Sequence, residues 1–170
     1  MRVGLATMQG LAMALDRRVF LASTLDLLAI AGRENAPAAP LVGTWMHGMR
    51  GEVFTALYRA TAAGRGVEAI VDPCVGTPEV AAAFWAVADE AGVIAVIGDG
   101  WPAAADPLIE RFGARLVPVT APLLAEVLAR HAAARADEAI APAAVRPAYV
   151  RRPDAVLTRL EAGLPVTGEV

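Results

Sequence analysis

An α/β domain built on a mixed sheet with flanking helices is what this 170-residue sequence predicts. Three observations carry that reading. Strand-like and helix-like runs alternate through the second half of the chain, from Val67 to His131. Residues 93–97 are apolar throughout, the pattern of a strand buried on both faces. Residues 41–46 and 53–58 flank "HGMRG", a plausible hairpin that adds antiparallel strands to the sheet.

Taken in order, the chain opens with a helix whose side is marked by Val3, Met8, Leu11 and Leu15. Gly4, Ala6, Gly10, Ala12 and Ala14 keep that helix thin enough to pack closely on several sides. Asp16-Arg17-Arg18 turns into a short apolar strand over residues 19–22. Ser23 stands as an N-cap with Asp26 three positions on, the spacing of a capping box, and opens a helix through Ile30. "GRENAPAAP", from Gly32 to Pro40, has linker composition and sets the first boundary. A third strand, residues 67–71, follows the turn at "AAGRG". Thr77 as N-cap, Pro78 at the first helical position and Glu79 in the first turn begin a helix with Val80, Phe84, Val87 and Ala91 toward the core, ended by Gly92. The strand ending at Ile97 runs into "GDGW". Asp106-Pro107 starts a helix that stops at Gly113, residues 116–119 form a strand, and Thr120 opens a helix bearing Leu124, Val127, Leu128 and His131. An Ala/Pro-rich stretch then leads to "RPAYVRRPDAVLTRL". The organisation expected is residues 1–33, then an α/β lobe over 34–138, then a return segment and tail over 139–170.

Composition narrows the function classes. Hydrophobic residues reach 56% before the 15 glycines are added, against a usual ~45–50% on a set that includes glycine. Much of the excess is alanine, and every basic residue is arginine. Net charge of −3 and a pI near 5.4 argue against a generally basic nucleic-acid coat. One cysteine excludes an internal disulfide. No apolar run approaches the ~18–20 residues of a membrane span. As an export signal the opening is poor: one arginine precedes an apolar stretch broken by Thr7, Gln9 and Gly10, and cleavage after Ala14 would make it shorter than the usual ~15–30 residues.

Catalytic constellations are scarce. With His47, His131 and Cys74 alone, and no H-E-x-x-H and no paired Cys, a zinc site has almost no ligands. His131 shares helical register with Val127 and Leu128, as an edge-of-core histidine does, and His47 lies in the expected hairpin loop. Cys74 reads as a buried, inert thiol. Gly98-Asp99-Gly100 after a buried strand is either a backbone cradle for a phosphate or an ordinary turn. No complete phosphate-loop or dinucleotide motif is present. Arg146, Arg151, Arg152 and Arg159 against Asp154 make the end of the chain basic, suited either to RNA phosphates or to a solvated tail.

Five blocks in order, "RVGLATMQGLAMA", "STL", "RGEVFTALY", "GDG" and "PAYVR", resemble the TsaB (YeaZ) family over most of the chain from Arg2 to about Arg152. That family supplies the non-catalytic dimerisation subunit of the machinery that makes threonylcarbamoyladenosine in tRNA. The resemblance implies a partial actin/Hsp70-like (ASKHA, ribonuclease H-like) two-lobed fold with a degenerate nucleotide site at Gly98, Asp99 and Gly100. It implies pairing with a TsaD-like catalytic subunit, with a TsaE-like ATPase joining, a homodimer as a further assembly, and contact with tRNA through the complex. It further implies a cytoplasmic protein with no cofactor, no metal, no membrane association and no activity of its own. Val3, Gly4, Thr7, Met8 and Leu11 fall on a helix that family members place in the pairing interface. Where the family carries Asp-Ala-Arg before its Gly-Glu-Val block, this chain has His47, Gly48 and Met49. Met1 stands where the family's glycine-rich loop ends, so the resemblance implies that most of the first lobe is absent. The rival expectation is a free-standing ligand-binding or enzymatic α/β domain using the Gly98–Gly100 turn. A metalloprotease lacks the paired histidines it needs.

Overall fold

Alternation along the central strands decides which side chains meet which helices. The computed structural model describes residues 2–61, 66–88, 90–101 and 103–150. Among the described residues, five α-helices and five strands follow one another: α1 (Arg2–Ala14), α2 (Thr24–Asn35), β1 (Leu41–His47), β2 (Val53–Ala60), β3 (Val67–Gly76), α3 (Pro78–Val87), β4 (Ile94–Ile97), α4 (Asp106–Phe112), β5 (Leu116–Val119) and α5 (Leu124–Ala134). The sheet order is β3-β2-β1-β4-β5. β1 pairs antiparallel with β2 and β2 with β3, while β1–β4 and β4–β5 are parallel. β2 therefore runs against the other four.

On one face, Val42, Ala56, Tyr58, Ala95 and Ile97 pack beneath α2 and Val127 of α5. On the other, Leu41, Trp45, Leu57, Ile94 and Val96 pack beneath α3 and α4. This period-two division produces three layers, helices–sheet–helices. The mixed sheet and flanking helices agree with the sequence expectation.

The second face is organised around Trp85. Its indole lies over Gly43, where a Cβ would overlap the ring. Its Nε1–H donates to Thr55 Oγ1 at 3.0 Å, and that hydroxyl donates to the Thr44 carbonyl at 2.7 Å. Trp45 meets it edge-on, with centroids 5.5 Å apart. The small Ala81 and Ala82 let α3 settle close to the strands.

This packing reverses the expected face of α3. The spacing of Val80, Phe84 and Val87 marks the outer side of α3, which buries Ala81, Ala82 and Trp85 instead, and the helix ends at Val87 short of Ala91. One large indole plus alanines fills the space better than a ridge of branched residues, so the periodicity is right and its direction is inverted.

Other boundaries move for local reasons. β3 continues through Pro73 to Gly76, because an edge strand tolerates a residue without an N–H. The register between β2 and β3 shifts beside Asp72 and Pro73, absorbing the interruption. α5 starts at Leu124 rather than Thr120, since Pro122 disfavours helical backbone at Ala121. The strand expected at residues 19–22 reduces to one bridge, Val19 with Ile140. α2 runs on to Asn35 and packs on the sheet, so the expected boundary between residues 33 and 34 falls inside a helix. Ser23 occupies the N-cap position but makes no side-chain cap bond, and Asp26 accepts the Tyr58 hydroxyl instead of closing a capping box.

Candidate functional site

Among the described elements, α1 makes its main contact with the turn Pro142–Ala144, where Gln9 Nε2 donates to the carbonyls of Pro142 at 2.9 Å and Val145 at 3.3 Å. Ala12 is buried on the same side. The residues expected to meet a partner point elsewhere. Val3 is 81% exposed, Met8 56%, Leu11 52% and Leu15 66%. Gly4 and Thr7 are exposed too, and nothing lies within 4 Å of where a Gly4 Cβ would stand. Thr7 Oγ1 donates to the Val3 carbonyl at 2.9 Å, so its polar group is satisfied within the helix. The structure thus gathers Val3, Gly4, Thr7, Met8 and Leu11 on one exposed helix. The close packing expected on several sides is realised on one side only.

The Gly98–Gly100 turn is a clasp between β4 and β1. Gly98 has φ +136°, and a Cβ there would overlap the Trp45 carbonyl. A Cβ on Gly100 would lie 2.8 Å from His47 N. Gly100 N–H donates to the Trp45 carbonyl at 2.9 Å, and Asp99 Oδ1 accepts the His47 N–H at 2.9 Å. The Asp99 carboxylate and the Gly100 amide, the two groups a phosphate cradle or a metal-nucleotide would engage, are therefore both turned to the end of β1. Trp45 Nε1–H extends the clasp by donating to the Ala104 carbonyl at 3.1 Å.

Beside this clasp lies an open cleft of about 400 Å³, lined by His47, Glu52, Glu79, Asp106, Pro107 and Glu110 among others. The sequence reading did not single it out. Its signal lies in Glu79 and Asp106, acidic residues in the first turns of two helices, both of which line the cleft with His47. A hydrogen bond from Thr77 holds the exposed Glu79 carboxyl below the usual range. Among the described residues, no group of three or more His, Cys, Asp or Glu side chains is arranged to hold a metal.

Three remaining candidates resolve simply. His131 is half-buried, edge-on to Phe20 with centroids 5.6 Å apart, and 2.8 Å from Arg135 Nη1, in keeping with an edge-of-core histidine. His47 is the exposed last residue of β1 rather than a loop residue. Cys74 sits half-buried on β3, its Sγ 3.7 Å from the Thr55 carbonyl, and burial followed by Asp72 raises its thiol above the ordinary value. Of the basic cluster, Arg146 donates to the carbonyls of Ala143 and Val145, while Arg151, Arg152, Asp154 and Arg159 lie outside the described residues.

A sheet with one reversed strand second in chain order, and helices on both faces, is consistent with the ASKHA and glycoprotease-like superfamily. Solved structures resemble this chain, two of them as follows. One is an uncharacterized protein with similarity to peptidase YEAZ from Pseudomonas aeruginosa, at TM-score 0.61 and 25% identity over 88% of this chain and 67% of that one. The other is YeaZ from Pseudomonas aeruginosa, at TM-score 0.62 and 25% identity over 87% of this chain and 66% of that one. No family model matches the chain, and no curated protein does. These likenesses support a family-level link to YeaZ. The chain spans about two thirds of the length of each of those solved chains.

Proposed function

We propose that this chain is a non-catalytic, TsaB-like partner subunit that offers α1 to a TsaD-like threonylcarbamoyltransferase acting on tRNA. The observation that carries the proposal is α1 itself: a helix with Val3, Met8 and Leu11 in solvent, continued by the exposed Leu15, and one side docked. Burying those side chains against a partner would stabilise the pair by roughly 1.5–3 kcal/mol for each one fully covered. Gly4 and Gly10 leave room for a second helix to approach closely. The family-level link to YeaZ supports the same reading.

In this proposal the described sheet is the second lobe of a two-lobed ASKHA protein, and the helix α1 belongs to the first. The subunit works in the cytoplasm without cofactor or metal, a TsaE-like ATPase joins the assembly, and tRNA is met through the complex. Without its partner, α1 supports a homodimer. The Gly98–Gly100 clasp is structural.

Co-purification of the tagged chain with the TsaD-like protein encoded in the same genome tests the proposal. Stoichiometric capture that is lost on Leu11→Arg is the expected result. No capture by the folded, tagged chain would overturn it.

A further inference from the structure

We propose that Gln9 is a latch by which residues 139–145 hold α1 in place, so that order in this return segment and partner binding on α1 are thermodynamically coupled. This deepens the reading of α1 as the partner helix and rests on it for the coupling, though not for the latch.

The physical need for a latch comes from α1 itself. Thirteen residues lie at the limit of what is helical in isolation, and Gly4 and Gly10 weaken the helix further. Tertiary contact must therefore supply much of its order. That contact converges on one segment. Gln9 Nε2 spans the Pro142 and Val145 carbonyls. Downstream of the helix, Arg18 Nε donates to the Ala139 carbonyl at 2.6 Å. Val19 and Ile140 exchange two backbone hydrogen bonds of 2.8 and 2.9 Å. Arg146 Nη1 donates to the Val145 carbonyl at 2.9 Å, so that oxygen is shared between the latch and the return segment's own arginine. Val145 is buried at the centre of the junction. Residues 9–19 and 139–145 thus form one junction, and Gln9 is the side-chain tie within it that belongs to α1.

Two consequences follow. Breaking the Gln9 tie loosens both partners of the junction, not α1 alone. A partner that orders α1 must, by linkage, order residues 139–145 in return, although it need not touch them.

Amide hydrogen exchange on the whole chain tests this. Gln9→Ala raises intrinsic helix propensity while removing the donors. The latch predicts roughly tenfold or faster exchange in α1 and at Ile140, Ala144 and Val145, with the β1 and β4 amides unchanged, as expected for loss of hydrogen bonds worth about one factor of ten each. Gln9→Lys, which keeps a donor, is expected to restore part of the protection. Unchanged or slower exchange in α1 of Gln9→Ala would overturn the latch, and so would acceleration confined to α1. Addition of the TsaD-like partner is expected to slow exchange at Ile140 and Val145 in the wild type. If capture fails while Gln9→Ala still accelerates both segments, the partner reading falls and the latch stands. If capture succeeds without slowing Ile140 and Val145, the coupling is wrong.

Discussion

Tyr58 donates its hydroxyl to Asp26 Oδ1 at 2.7 Å, tying the first turn of α2 to the middle of β2. The tie takes a carboxylate that the local sequence assigns to a capping box and spends it on the tertiary structure. Burial first, and the Asp26 acceptor second, raise the phenol far above its ordinary value. Tyr58→Phe is expected to cost about 1–3 kcal/mol at neutral pH by leaving Asp26 short of a donor. On a chain of this length that is a loss of several degrees in Tm, read by a thermal melt.

The same pair fixes a pH dependence. The folded state holds the phenol neutral, whereas the unfolded chain ionises near ~10. Stability from this group is therefore complete below about pH 10 and lost as pH rises above it. Urea midpoints of the wild type are expected to fall from pH 8 to pH 11 more steeply than those of Tyr58→Phe. Equal slopes would show that the phenol does not contribute.

Gly43 is bound to Trp85 by shape. Gly43→Ala places a methyl in the indole, and the expected cost is about 1–3 kcal/mol from overpacking. Trp85→Phe removes part of the obstacle, so the double variant should lose less than the sum of the singles. A double-mutant cycle by urea denaturation measures the difference.

Asp99 is expected to behave as a clasp. Asp99→Ala removes the acceptor of the His47 N–H and should destabilise the chain by about 1–2 kcal/mol, with Asp99→Asn milder because it keeps an acceptor. Calorimetry with ATP and Mg²⁺ should read no heat that depends on Asp99. Heat lost on Asp99→Ala in a folded variant would revive the phosphate cradle.

Much of this architecture is legible in the sequence because short-range physics decides it. The apolar run before Gly98 is a buried strand, Pro78 and Glu79 open a helix, and the residues around "HGMRG" pair as a hairpin. What is not legible depends on distant partners. Nothing near Asp26 in the chain shows that Tyr58 will claim it, and nothing near Val80 shows that Trp85 will reach Gly43 and turn the stripe outward. Pro73 interrupts β3 in sequence and is harmless only because β3 is an edge. The exposed residues of α1 were readable as a set through the resemblance. Gln9 was not, because a single amide in a helix gains meaning only from the carbonyls of Pro142 and Val145, more than a hundred residues away.

As a proposed partner helix, α1 carries exposed side chains that are expected to add nothing to the stability of the chain alone. Leu11→Arg tests this most directly, with two readings on one variant. Its melt should match the wild type within about 0.5 kcal/mol, as for surface substitutions generally, while capture of the TsaD-like protein is abolished. A folded Leu11→Arg chain that still captures the partner at wild-type strength would contradict the account.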